Sequence, residues 1–280
     1  MPFIQVRGVE HYYEWIRTPV ISEKKPVLVF IHGWAGSGRY WKTTAQALTN
    51  FFDCVLYDLR GFGRSRLPKQ PTGLDYELET YAEDLAALLD ALGLERVYLN
   101  AHSMGASVAT LFLNRYPERV EKAILTCSGI FEYDEKAFKA FHKWGSQVVR
   151  FRPNWLVKIP LLARLFMARF LKQAIATSAR QAFLEDFIIA DYEAALGTIF
   201  TSVSEKAAKV MPQAFAQLQV PTLLVSGEYD KIIPAEMGRR AAALNEKVEF
   251  AIIPNTAHFP MLEDADTYLQ KVREFLGVSS

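Results

Sequence analysis

Five consecutive apolar residues, Val27-Leu28-Val29-Phe30-Ile31, leave no face of a strand for water. A strand of this kind is buried on both sides, as in a parallel sheet covered by helices. Similar short runs recur at Cys54-Val55-Leu56-Tyr57, Val97-Tyr98-Leu99-Asn100-Ala101 and Ala123-Ile124-Leu125-Thr126. Two more follow at Thr222-Leu223-Leu224-Val225 and Glu249-Phe250-Ala251-Ile252-Ile253. Helical spacing fills the intervals, at 39–49, 78–92, 104–115, 235–244 and 261–276. Over 78–92, Leu78, Tyr81, Ala82, Leu85, Leu88, Leu89 and Leu92 share a face, and Gly93 stops the helix. Alternation of this type predicts a mostly parallel central sheet flanked by helices, joined by right-handed crossovers. A chain of 280 residues, half of them hydrophobic, can bury such a core.

The rhythm breaks between about 131 and 212, which is helical in character and rich in aromatics. No Gly/Ser linker sets it apart. Residues 1–130 and 213–280 therefore read as one α/β core, and 131–212 as a helical cap, or lid, inserted in it.

Composition removes several function classes. Formal net charge is +1, from 32 basic and 31 acidic residues, so no nucleic-acid partner is implied. The N-terminus MPFIQVRGVEHYYEW lacks the pattern of a signal peptide, and no apolar run reaches the roughly 18 residues of a membrane span. The two cysteines, Cys54 and Cys127, lie in apolar strand-like runs. They read as buried free thiols in a reducing, cytoplasmic setting. His11, His32, His102 and His142 lack ligand spacing with each other or with acidic groups, so no metal is expected. No Gly-rich nucleotide fingerprint follows the first strand, and no cofactor is expected.

The segment Leu99-Asn100-Ala101-His102-Ser103-Met104-Gly105-Ala106 carries chemistry. A strand ends, one serine sits at a sharp turn, and a helix of small residues begins. A nucleophile there stands clear of the sheet, provided its neighbours two residues away are small. Ala101 and Gly105 satisfy that, with Ala in place of the more usual Gly. A helix N-cap is the plain alternative for Ser103. Ile31-His32-Gly33-Trp34 ends an earlier strand, and backbone N–H groups of Trp34 and Met104 would form an oxyanion hole. Ser226-Gly227-Glu228-Tyr229-Asp230 supplies a carboxylate after one strand, and Asn255-Thr256-Ala257-His258 an imidazole after the next. The order Ser103, Asp230, His258, all at C-terminal strand ends, predicts a catalytic triad.

These motifs resemble the α/β-hydrolase superfamily over nearly the whole core. Tyr57-Asp58-Leu59-Arg60-Gly61-Phe62-Gly63-Arg64-Ser65 looks like its D-x-R-G-x-G-x-S loop, which we read as structural, with Asp58 and Arg60 making local hydrogen bonds. Relatives with Asp at the elbow are dehalogenases or epoxide hydrolases; serine there implies the esterase branch. His32-Gly33-Trp34, Trp41 and the 58–65 loop resemble the pimeloyl-carrier-protein methyl esterases. The greasy cap is similar to that of chlorophyll dephytylases.

Residues 131–172 hold nine basic side chains against three acidic ones, and nine aromatics. The stretch Trp155–Lys172 is apolar on most faces, with basic residues spaced along it. That composition fits an interfacial helix, or an apolar tunnel roof with a basic rim. The expectation is a carboxylic-ester hydrolase for a bulky or long-chain apolar ester, with peripheral contact to a membrane or an acidic carrier protein. A thioesterase, a carbon–carbon bond hydrolase and a non-catalytic receptor on the same scaffold are the alternatives.

Overall fold

The computed structural model describes residues 2–18, 25–159 and 161–278. Pro160, within the expected apolar segment 155–172, lies outside the described residues.

Among the described residues, eight strands form one sheet: β1 (Phe3–Val6), β2 (Val9–Ile16), β3 (Val27–Ile31), β4 (Asp53–Tyr57), β5 (Val97–His102), β6 (Val120–Thr126), β7 (Thr222–Gly227) and β8 (Val248–Ile253). Their spatial order is β1-β2-β4-β3-β5-β6-β7-β8. From β4 through β8 every pairing is parallel, while β2 runs antiparallel to both β1 and β4. The sequence reading did not foresee the β1–β2 hairpin. Arg7 and Gly8 close it with φ of 49° and 83°, the two positive-φ residues that a tight hairpin needs.

Strand β3 shows why its run is continuously apolar. Val29 and Ile31 enter the core on one face of the sheet, with helices α2 (Leu78–Ala91) and α3 (Met104–Arg115). Leu28 and Phe30 enter the core on the other, with α1 (Lys42–Leu48). All four are fully buried. The chain steps from β3 to β4 on one side, then crosses to β5 on the other. A crevice therefore opens at the C-terminal ends of β3 and β5, where open α/β sheets hold ligands.

The expected 39–49 helix begins as a 3₁₀ turn, Gly38–Trp41, because the Ser37 hydroxyl caps the Arg39 N–H. Between β6 and β7 lie α4 (Glu135–Arg150), a 3₁₀ turn (Asn154–Lys158), α5 (Leu162–Met167), α6 (Thr177–Ile189), α7 (Tyr192–Ser202) and α8 (Glu205–Ala216). Helix α8 packs on α3 and on α9 (Ala235–Ala242), so the boundary drawn at 212–213 falls inside it. The expected 261–276 helix is two, α10 (Pro260–Glu263) and α11 (Ala265–Leu276), broken where Asp264 caps the second.

The Asp58–Ser65 loop does more than hold its own turns. Asp58 accepts from the Gly38 and Arg64 backbone N–H groups and from the Arg64 guanidinium. Arg60 reaches away from the loop to a buried ion pair with Asp84 on α2, 2.8 Å. Helix α7 rests on Gly61: a Cβ there would lie 2.2 Å from the Ala194 Cβ. The Asp191 N–H donates to the Gly61 carbonyl, and the Asp191 carboxylate accepts from the Leu67 N–H. The loop therefore anchors the inserted helices to the core.

Candidate active site

Ser103 joins β5 to α3 with φ 54° and ψ −123°. A non-glycine residue there is strained, and strain of this kind persists only where the surroundings impose it. The Ser103 N–H donates to the Thr126 carbonyl at 2.9 Å, which ties the turn to β6. Gly105 lets the helix approach β3, since a Cβ would lie 2.3 Å from the His32 carbonyl oxygen. Ser103 occupies the N-cap position of α3, yet its hydroxyl makes no capping bond. Its Oγ lies 3.0 Å from His258 Nε2 instead.

The imidazole and the carboxylate arrive from β8 and β7. Their loops touch at Gly227, where a Cβ would stand 1.9 Å from the Ala257 carbonyl oxygen. His258 Nδ1 donates to Asp230 Oδ2 at 2.7 Å. Asp230 Oδ1 accepts from the Ile232 and Ile233 N–H groups, at 2.8 and 3.1 Å. Both side chains are buried. Glu228, the other carboxylate in that segment, faces away and accepts from the Asn255 N–H. Ser103, His258 and Asp230 thus lie in one line of hydrogen bonds. Gly33 lies against the serine, its Cβ position 3.1 Å from the Ser103 Cβ. The Gly33 N–H is taken by the Tyr40 hydroxyl. The Trp34 and Met104 N–H groups have no hydrogen-bond partner among the described residues.

Three further residues were not singled out from the sequence. His102 Nε2 donates to the His258 carbonyl oxygen at 2.7 Å, which leaves Nδ1 to accept from the Tyr40 hydroxyl at 3.0 Å. Tyr40 and His102 therefore bridge the Gly33 turn and the His258 loop through buried groups. Glu263 accepts four backbone N–H bonds: Oε1 from Ala257 and Phe259, and Oε2 from Lys172 and Gln173. The His258 N–H donates to the Phe170 carbonyl. The loop carrying the imidazole is thus clamped on both sides and tied to the chain at 170–173.

His102, Cys127 and His258 place ligand-type atoms within 4.8 Å of one another. Both nitrogens of each histidine already serve the hydrogen bonds above. Burial, reinforced by the Asp230 charge, pushes the Cys127 thiol far up and keeps it protonated. Metal ligation would require those hydrogen bonds to be given up. Cys54 and Cys127 are both free and buried.

Aromatic rings step across the site from Trp34 to His258. Trp34 meets Phe187 (5.9 Å), Phe187 meets Phe166 (4.7 Å), Phe166 meets Phe170, and Phe170 meets His258 (both 6.1 Å). Trp34 Nε1 also donates to the Ala195 carbonyl of α7. The inserted helices therefore give the hydrogen-bonded line of Ser103, His258 and Asp230 apolar surroundings. A separate cavity of about 460 Å³ lies behind Tyr40, walled by Ile175, Phe183 and Met261, and Ser103 is not in its lining.

Burial also sets how stability responds to acid. His11, His32 and His102 all have their pKa lowered below 6.5, mainly by desolvation. With the folded pKa lowered, they take up protons more readily when unfolded, so acid favours the unfolded state. Each contributes a slope of up to about 1.4 kcal/mol per pH unit. Urea unfolding is expected to give stability that falls as pH drops from about 6.5 toward about 5. A flat profile across that window would exclude neutral buried imidazoles.

A family profile described as alpha/beta hydrolase fold matches residues 26–265. An uncharacterised protein of Mycobacterium tuberculosis is 25% identical over 292 residues, covering 99% of this chain and 82% of that protein. A thermophilic esterase from Thermogutta terrifontis superposes with a TM-score of 0.76 at 24% identity, covering 98% of each chain. An enol-lactonase from Burkholderia xenovorans superposes at 0.79 with 21% identity, covering 99% of this chain and 100% of that one. The profile spans the strands that carry Trp34, Ser103, Asp230 and His258, and on that match the chain belongs to the α/β-hydrolase fold family.

Proposed function

We propose that the protein is a serine hydrolase of carboxylic esters, with Ser103 as nucleophile, His258 as base and Asp230 as the group that orients the base. The observation that carries this is the Ser103 Oγ, 3.0 Å from a buried imidazole whose other nitrogen donates to a buried carboxylate. His258 accepts the hydroxyl proton as Ser103 attacks the ester carbonyl, and Asp230 stabilises the imidazolium that forms. The Trp34 and Met104 N–H groups receive the negative charge that develops on the carbonyl oxygen. The tetrahedral adduct collapses, His258 protonates the departing alcohol, and the acyl group stays on Ser103. Water, deprotonated by His258, then releases the acid and restores the serine.

The ring series from Trp34 to Phe170 supports a bulky apolar ester as substrate, since it gives the reacting carbon few polar neighbours. A fluorophosphonate probe is expected to label the folded protein at Ser103, located by peptide mass spectrometry. Turnover of p-nitrophenyl esters should then rise with acyl length over the short end of a series. Absence of labelling, or labelling at another serine, would refute the assignment. A preference for acetate over longer chains would remove the bulky-ester part.

A further inference from the structure

Helix α4 has two apolar faces, and only one is covered. Gly145 and Val149 turn toward the protein; a Cβ at Gly145 would touch Ile199 of α7 at 3.1 Å. At 3.6 residues per turn, Phe141, Trp144 and Val148 form a second stripe, which Phe151 extends. All four are exposed, Trp144 by 71%. The 3₁₀ turn and α5 repeat the pattern. Leu156, Leu162 and Phe166 pack inward around Trp34 and Ala35, while Trp155, Leu161 and Leu165 face out, Leu165 by 74%. Nine of the fifteen large exposed hydrophobics recorded for the described residues lie within 131–172.

Basic charge predominates in 131–172. Glu132 pairs with Arg240, Glu135 pairs with Lys139, and Asp134 caps α4. Lys136, Lys143, Arg150, Lys158, Arg164 and Arg169 have no carboxylate partner among the described residues. On α4 the lysines occupy the stripe beside the exposed aromatics. Exposed apolar side chains so concentrated in one segment are unusual on a free monomer. Aromatic and aliphatic side chains flanked by unpaired cations complement a surface with an apolar interior and anionic headgroups. No described helix is long and apolar enough to cross a membrane, so these exposed side chains fit the surface of a bilayer and not its full thickness.

We propose that the outward sides of α4, of the 3₁₀ turn Asn154–Lys158 and of α5 dock on an anionic lipid bilayer. The same segment packs by its inner side on Trp34 and Ala35. The docked leaflet therefore lies about one helix diameter, roughly 10 Å, from the oxyanion loop. Docking is independent of the hydrolytic reading and is tested without it.

The test is co-sedimentation of the full chain with vesicles of phosphatidylcholine alone and with phosphatidylglycerol added. Wild type is expected to pellet with the anionic vesicles, less with the neutral ones, and less as salt rises. Ser103→Ala should pellet as wild type does. Arg164→Glu with Arg169→Glu should weaken anionic binding by roughly 25-fold or more, from about fivefold for each cation lost. Trp144→Ser with Phe151→Ser should remove most binding to both vesicles. Circular dichroism of each variant should match wild type, since all four side chains are exposed. No pelleting of wild type with either vesicle would overturn the proposal. It would equally be overturned if, without vesicle binding, the chain forms a dimer that Trp144→Ser with Phe151→Ser dissolves, or binds an acidic carrier protein through this face.

Discussion

Ser103→Ala is expected to lower ester turnover by about four to six orders of magnitude while leaving the fold intact. The hydroxyl makes one hydrogen bond to protein, with His258 Nε2 at 3.0 Å, and none to the backbone of α3. Its removal therefore leaves no helix end uncapped. Alanine keeps the same Cβ, so the strain at φ 54° is unchanged. Stability should shift by less than about 1 kcal/mol, as for a partly exposed side chain with no packing role. His258→Ala should be comparably inactive, because a serine without a base is a weak nucleophile at neutral pH. Activity on a soluble p-nitrophenyl ester, read beside thermal unfolding, checks both variants. Wild-type turnover in folded Ser103→Ala would dismiss Ser103 as nucleophile.

The candidate triad was legible because each member follows a strand that announces itself. A strand buried on both faces is apolar along most of its length, as in Val27–Ile31, and as in Val97–Ala101 and Thr222–Val225 apart from the buried Asn100 and Thr222. The residue that follows such a strand stands at the sheet's ligand-bearing edge. The hairpin at the N-terminus obeys a different pattern. In Val9-Glu10-His11-Tyr12 burial alternates, so a search for continuous runs passes over it. The supporting residues are harder still to read. Tyr40 meets His102 across 62 positions, and His102 meets the His258 carbonyl across 156. Glu263 binds Lys172 and Gln173 across about 90. Nothing local to Tyr40 or Glu263 marks them, because their partners are set by how the strands are ordered. The Asp58–Ser65 loop is intermediate: its glycines signal tight turns, but the docking of α7 on Gly61 depends on where the inserted helices return.

Those long-range bonds also couple the inserted helices to the chemistry. Glu263 holds the Ala257 and Phe259 N–H groups on one oxygen and the 172–173 backbone on the other. Asp186 of α6 accepts from Ser37 and pairs with Arg39, just beyond the Gly33–Trp34 turn. Burial raises the Asp186 carboxyl pKa even beside Arg39. Displacement of the inserted helices would therefore pull on both the His258 loop and the Gly33–Ser37 turn, and not on the roof alone.

Asp230→Asn should keep the fold and lose about four orders of magnitude of turnover. The reason lies in which atoms face which. Asp230 Oδ1 accepts two backbone N–H bonds, from Ile232 and Ile233, and an asparagine oxygen would take that place. The amide NH₂ then points at His258 Nδ1, where a carboxylate oxygen sits at 2.7 Å in the native protein. Two donors cannot share that contact, so Nδ1 loses its proton and Nε2 gains it. An Nε2 bearing hydrogen cannot accept the Ser103 proton, and nothing stabilises the imidazolium. Glu228→Gln is the control: Glu228 binds the Asn255 N–H and is remote from the imidazole, so turnover should change little. The measurement is kcat/KM on one ester for both variants, with melting curves to show that each is folded. Full activity in Asp230→Asn together with loss in Glu228→Gln would transfer the carboxylate role to Glu228.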